Sequence, residues 1–347
     1  MKAMLLAVLL AACLLASPAA ADPVDAVCSG RFPITSGTDT LQVPICSNRS
    51  LTELDGEVTR AVIVINGAGR NADEYHQYIV DAAQASGVSA GTLIIAPQFL
   101  TYDDLEEHYL PDEDAVPYWS SGGWKKGSLS KDEPLSRPFR LSSFEVVDRI
   151  VAAISDRSIF PNLDKVVFAG HSAGGQFVNR FASGTALPET HPENVYRFIA
   201  ANPSSWLYFD AMRPEPGSMT SFRELTSVER EDCSDYNDYK YGLQDLNSYM
   251  DAVGAETLPA RYEHRNVIYL LGQGDHDPES SSLDDSCEGM WEGPNRLYRG
   301  TAFHNYLGQY YGTKDVYRTH ILALVPDIDH DGEAMFNSSV GRDYLFP

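Results

Sequence analysis

The sequence predicts an α/β fold, a mostly parallel sheet flanked by helices. Three observations carry that expectation. Short runs rich in Val and Ile alternate with longer amphipathic stretches. The 347 residues are 43% hydrophobic and 11% aromatic, enough to bury one large core. No internal repeat, linker or low-complexity tract divides the chain.

The expected strands are Ala61 to Asn66, Thr92 to Pro97, Lys165 to Gly170, Arg197 to Asn202, Val267 to Gly272 and His320 to Val325. Helices are expected over Asp73 to Ser86, Ser142 to Asp156, Gly174 to Ser183 and Thr301 to Tyr311. Two long loop insertions, about 99–140 and 204–264, interrupt the alternation. Loops of that length in a compact domain are more often functional than idle. The expected organisation is a signal peptide over 1–21, an N-terminal segment over 22–60 and a single α/β domain over 61–347.

A formal charge of -23 argues against a nucleic-acid partner, because phosphate binding needs clustered Lys and Arg. The start has a basic second residue, a short apolar run and the small residues Ala19, Ala20 and Ala21, the pattern of a secretory signal cleaved after Ala21. "LAAC" ending at Cys13 also fits a lipoprotein box, but the apolar run continues through Leu14 and Leu15, which favours the first reading. A secreted or periplasmic chain with no transmembrane segment after cleavage is expected. Removing the signal leaves Cys28, Cys46, Cys233 and Cys287, an even count that favours two disulfides. Cys28 with Cys46 and Cys233 with Cys287 is the preferred pairing, since each closes a loop within one region.

Directly after the strand "KVVFAG" comes "GHSAGG", Gly170 to Gly175, and then the helical "QFVNRFA". Gly-x-Ser-x-Gly between strand and helix places Ser172 at a sharp, exposed corner, with glycines where side chains would crowd the turn. The following helix aims its positive end at the place where negative charge develops in acyl transfer. The first strong strand runs into "NGAGRNADEY", Asn66 to Tyr75, a tight turn able to present a backbone N–H. The candidate oxyanion donors are the amides of Ala68 and Ala173, with Gly69 as the alternative to Ala68.

The late stretch "DIDHDGEAMF", Asp327 to Phe336, begins like a calcium-binding EF-hand loop. Its ninth position is Met335 and its twelfth Ser338, so the required bidentate Glu is missing and no long helix precedes it. A looser calcium site using Asp327, Asp331, Asp284 or Asp285 is a secondary expectation, and no cofactor or metal is called for. His330 stands in a loop after the last strand, and a histidine can take a serine proton and return it to a leaving group. The loop after "VIYLLG" offers two carboxylates, Asp275 and Asp277, as its partner. His171 and His276 are placed to line the site.

Strand, "NGAGRNA", strand, "GHSAGG" and a late histidine together resemble the α/β-hydrolase family over nearly all the chain after Arg60. Within it the likeness is to secreted esterases of the polyhydroxybutyrate depolymerase and feruloyl esterase kind, although Asn66 stands where those often carry His. The resemblance implies the order serine, acid, histidine. Its Gly-x-x-Asp spacing, read from Gly272, points to Asp275 ahead of Asp277.

The expected activity is hydrolysis of a carboxylic ester through an acyl-enzyme. The substrate would be a small molecule or a polymer such as a polyester or feruloylated polysaccharide. A peptidase or amidase on the same scaffold, or a noncatalytic binding protein that kept the fold, are the alternatives. Trp119, Trp124 and Trp206, on loops at the carboxyl ends of strands, are expected to wall the substrate site.

Overall fold

The computed structural model describes residues 22–347. The signal peptide over 1–21, with Cys13, lies outside the described residues. Ten strands follow in chain order: β1 Gly30–Ser36, β2 Asp39–Ser47, β3 Arg60–Ile65, β4 Thr92–Pro97, β5 Lys165–His171, β6 Val195–Ala201, β7 Met212–Pro214, β8 Phe222–Glu224, β9 Val267–Gly272 and β10 His320–Val325. Eight form one sheet in the order β1-β2-β4-β3-β5-β6-β9-β10, and β7 and β8 pair separately. From β4 to β10 the pairs are parallel, while β1 and β2 are antiparallel additions at one edge.

The sheet is buried on both faces, as parallel sheets are. Side chains alternate along β3: Ala61, Ile63 and Ile65 enter one core, and Val62 and Val64 the other. The first four helices are α1 Ala72–Ala85, α2 Tyr102–His108, α3 Ser143–Ile154 and α4 Ala173–Gly184. Tyr75, Ile79 and Ala82 of α1 cover the Val62 face, and Phe144, Phe177 and Phe181 of α3 and α4 cover the Ile63 face. Ser142 caps α3 by accepting from Phe144 N–H.

The segment over 22–60 is more ordered than its sequence suggests. β1 and β2 form a hairpin around Gly37, whose φ of +61° suits a two-residue turn, and Phe32, Ile34, Leu41, Val43 and Ile45 turn inward. Pro33 and Pro44 obscure this period-2 pattern; Pro33 is tolerated because β1 is the edge strand. Disulfides join Cys28 to Cys46 and Cys233 to Cys287, the second tying the later insertion to the segment after β9. Among the described residues no helix is long and apolar enough to cross a membrane.

The tryptophans overturn one expectation. Trp124 and Trp206 are 0% exposed and present no face to a ligand, while Trp119, 1% exposed, borders a small surface pocket of about 200 Å³. Trp119 packs edge-on against Phe99 at 5.2 Å, Trp124 stacks on Phe99 at 5.9 Å, and Trp206 stacks on Phe303 at 5.0 Å. All three enter the main core under the sheet and anchor the two insertions to it; segments this long are not ordered without something to bury. Trp124→Ala is therefore expected to lower stability by about 3–5 kcal/mol, read from a urea midpoint. An unchanged midpoint would contradict this packing role.

Candidate active site

β3 and β5 are neighbours in register, with Ile65 opposite Gly170, so the turn after β3 lies beside the turn after β5. Between them the strand order reverses, the place where open α/β sheets form their crevice. Ser172 follows β5 with φ 57° and ψ -117°, a backbone region that non-glycine residues rarely occupy. Its N–H is held by Ala201 O at 2.9 Å. A Cβ at Gly170 would stand 2.2 Å from Gly174 O, and one at Gly174 2.1 Å from Ile65 O. Only glycine lets α4 start this close to both strands.

The structure brings Ser172, His330 and Asp275 together. His330 Nε2 is 2.9 Å from Ser172 Oγ, and His330 Nδ1 is 2.7 Å from Asp275 Oδ2. This geometry assigns the Nδ1–H to the carboxylate and leaves Nε2 to accept from the serine hydroxyl. Asp275 is buried, whereas Asp277 is exposed and accepts from Glu279 N–H, so only the first faces the histidine.

The loops carrying acid and histidine are fastened to each other. β9 and β10 pair with Gly272 opposite Val325, and Gly274 N–H donates to Ile328 O at 2.8 Å. A Cβ at Gly272 would meet Ile328 O at 2.4 Å, so glycine permits that approach. Asp331 accepts from Ala334 N–H and caps the helix Gly332–Asn337 behind His330. Asp327 and Asp329 are exposed.

Two side chains that hold this arrangement carry no signal in the sequence. Asn202, buried at the end of β6 with φ 44°, accepts from Gly272 N–H at 2.9 Å and donates to Asp329 O at 3.2 Å, bridging both loops. Arg296, fully buried, donates to Asp275 Oδ1 at 3.2 Å, to Ser204 Oγ at 3.0 Å and to Ser282 Oγ at 2.9 Å. Asp275 thus has a charged donor on one oxygen and His330 on the other. A lone Asn after a strand and a lone Arg opening a helix carry no motif by which to find them.

Ala173 is the first residue of α4, so its N–H has no acceptor within the helix. Ala68 and Gly69 are exposed in a turn closed by Arg70 N–H to Gly67 O at 3.1 Å. Among the described residues, neither the Ala68 nor the Ala173 N–H donates to a protein acceptor. Arg70 forms a buried two-pronged ion pair with Asp104 of α2 at 2.8 Å, anchoring the turn to the first insertion.

His171 is buried, bonds Tyr75 Oη through Nδ1 at 3.0 Å, and packs its ring 4.5 Å from that of His330. Burial, then the neighbouring His330 and Arg296, holds its pKa well below the ordinary histidine range. His276 is exposed.

A scan against known protein families matches none, and no curated protein matches the chain. Solved structures do match. A poly(aspartic acid) hydrolase from Sphingomonas sp. KT-1 is 23% identical, with a TM-score of 0.58, covering 94% of this chain and 100% of that one. A poly(3-hydroxybutyrate) depolymerase from Bordetella parapertussis is 21% identical, with a TM-score of 0.56, covering 90% and 88%. This chain has the α/β-hydrolase fold.

Two outcomes check the site. Asn202→Ala strands Gly272 N–H and Asp329 O, and is expected to lower stability by about 1–3 kcal/mol in denaturant titration; an unchanged midpoint would contradict the bridge. Because burial holds His171 well below the ordinary histidine range, its ring is expected to stay neutral as pH falls through that range, read from its imidazole NMR shifts. Protonation of that ring within the range would contradict its buried setting.

Proposed function

We propose that this chain is an exported serine hydrolase that cleaves carboxylic esters through an acyl-enzyme. The observation that carries the reading is the unbroken hydrogen-bonded path from Ser172 Oγ through His330 to Asp275, starting at a strained strand-to-helix corner.

In this reading Ser172 Oγ attacks the ester carbonyl while His330 Nε2 takes its proton. The oxygen of the tetrahedral intermediate is held by Ala173 N–H and by that of Ala68, with Gly69 as the alternative donor. His330 then protonates the departing alcohol, leaving the acyl group on Ser172. Water enters, gives its proton to His330 and releases the acid by the reverse sequence. Asp275 stabilises the imidazolium at each stage, and Arg296 and Asn202 keep Asp275 and the His330 loop in place.

Both named structural neighbours act on polymers by their names. That supports an extended substrate reaching across the loops after β4 and β6. Export is supported by the two disulfides, which persist in oxidising compartments.

Ser172→Ala is expected to lower ester turnover by about 10⁴-fold or more while keeping the wild-type melting temperature. Asp275→Asn should cost about 10⁴-fold in kcat, because the wrong tautomer of His330 is then favoured. Asp277→Asn should leave kcat near wild type. Retained turnover in Ser172→Ala would overturn the mechanism. A kcat/KM for peptide anilides above that for matched nitrophenyl esters would move the substrate class to amides.

A further inference from the structure

The chain has 49 acidic residues and seven lysines. Four of those lysines, Lys125, Lys126, Lys131 and Lys240, line one cavity of about 460 Å³, joined there by Arg140. The rest of the wall is serine, glycine and Leu129, with no carboxylate. Lys240 is paired with Asp284 at 2.5 Å, and Arg140 lies 4.0 Å from Asp132. Among the described residues, Lys125, Lys126 and Lys131 have no carboxylate within 4.0 Å.

Gathering like charges costs Coulomb energy, more so where water is thinned. Burial first, and then the Lys240 ammonium, pulls Lys125 down to about 8, and the same two causes lower Lys126. Burial lowers Lys240 as well, against the opposing pull of Asp284. A chain this acidic has carboxylates available to neutralise its lysines, yet of the four here Lys240 alone is paired with one.

The cavity is built from the insertions that follow β4 and β6, both leaving the carboxyl end of the sheet where Ser172 stands. Lys126 O accepts from Tyr239 Oη at 2.7 Å and from Asn247 Nδ2 at 2.6 Å, joining the two insertions. Lys240 O accepts from Arg180 Nε at 3.0 Å. Arg180 lies along α4 from Ser172 by about 12 Å of helix rise.

We propose that this cavity binds a multivalent carboxylate anion, either a small free polycarboxylate or a run of carboxylates on a chain whose scissile bond lies at Ser172. A monovalent anion satisfies one ammonium and leaves the others repelling; several linked carboxylates satisfy the set. The cavity volume is within the ordinary range for ligand sites. The binding claim stands independently of the hydrolase reading, and only the second source of carboxylates rests on it.

The test is calorimetric titration of the mature chain, at matched ionic strength, with citrate, short poly-glutamate, sulfate and acetate. Citrate, poly-glutamate or both should bind, acetate should not, and added salt should weaken the binding. Lys125→Gln should raise Kd about tenfold or more. Lys131→Gln, an exposed change that disturbs no packing, should raise it by a smaller factor. Both variants should keep the wild-type melting temperature and turnover of a neutral nitrophenyl ester, so a failed esterase assay leaves the binding result readable.

Poly-glutamate binding more tightly than citrate identifies a substrate chain as the source, and citrate matching it identifies a free anion. Sulfate binding as tightly as citrate would overturn the choice of carboxylate. Binding of neither carboxylate anion above acetate, or a Kd unchanged in both variants, would overturn the proposal.

Discussion

The close approach of three backbones at the start of α4 is the constraint on which the rest of the site depends. Gly170 and Gly174 let β5 turn directly into the helix, and Ile65 O and Ala201 O, from the strands on either side, press against that turn. Ser172 is held there in a conformation costing on the order of 1–3 kcal/mol. The packed sheet supplies that energy, because β5 pairs with β6 from Lys165 to His171 and with β3 from Lys165 to Gly170. The serine is fixed by the core of the sheet, and the loops have only to bring the histidine to it.

Those loops are fixed by buried polar groups. Asn202 closes the gap between the β9 and β10 loops with two hydrogen bonds, and Arg296 gathers Asp275, Ser204 and Ser282 around one guanidinium. Burying an arginine is costly unless its donors are satisfied, and removing a partner leaves an uncompensated charge. Such a network tolerates little displacement, which suits a carboxylate that must set the orientation of His330. Arg70 and Asp104 do the same for the turn after β3. The two insertions send aromatic side chains into the core under the sheet and line a lysine-rich cavity outside it.

Much of this was legible in the sequence. All six expected strands are present, three with the same bounds and three displaced by one or two residues, because apolar runs that must be buried on both faces leave little freedom. The serine, histidine and acid could be placed because strand order puts them on loops that the sheet brings together. The β1–β2 hairpin was not seen, since two prolines break its alternation. A loop position in sequence says nothing of the burial of the tryptophans, whose side chains reach back into the core under the sheet. Asn202 and Arg296 were invisible for a different reason: their partners lie between 14 and 127 positions away, and neither residue type announces a role.

The direct measurement is peptide mapping by mass spectrometry after reaction with a fluorophosphonate, which captures only an activated nucleophile. The expected result is one adduct per chain, carried on Ser172 and lost in His330→Ala, because the hydroxyl reacts only when the imidazole takes its proton. An adduct on another residue, or labelling of Ser172 undiminished in His330→Ala, would contradict the account.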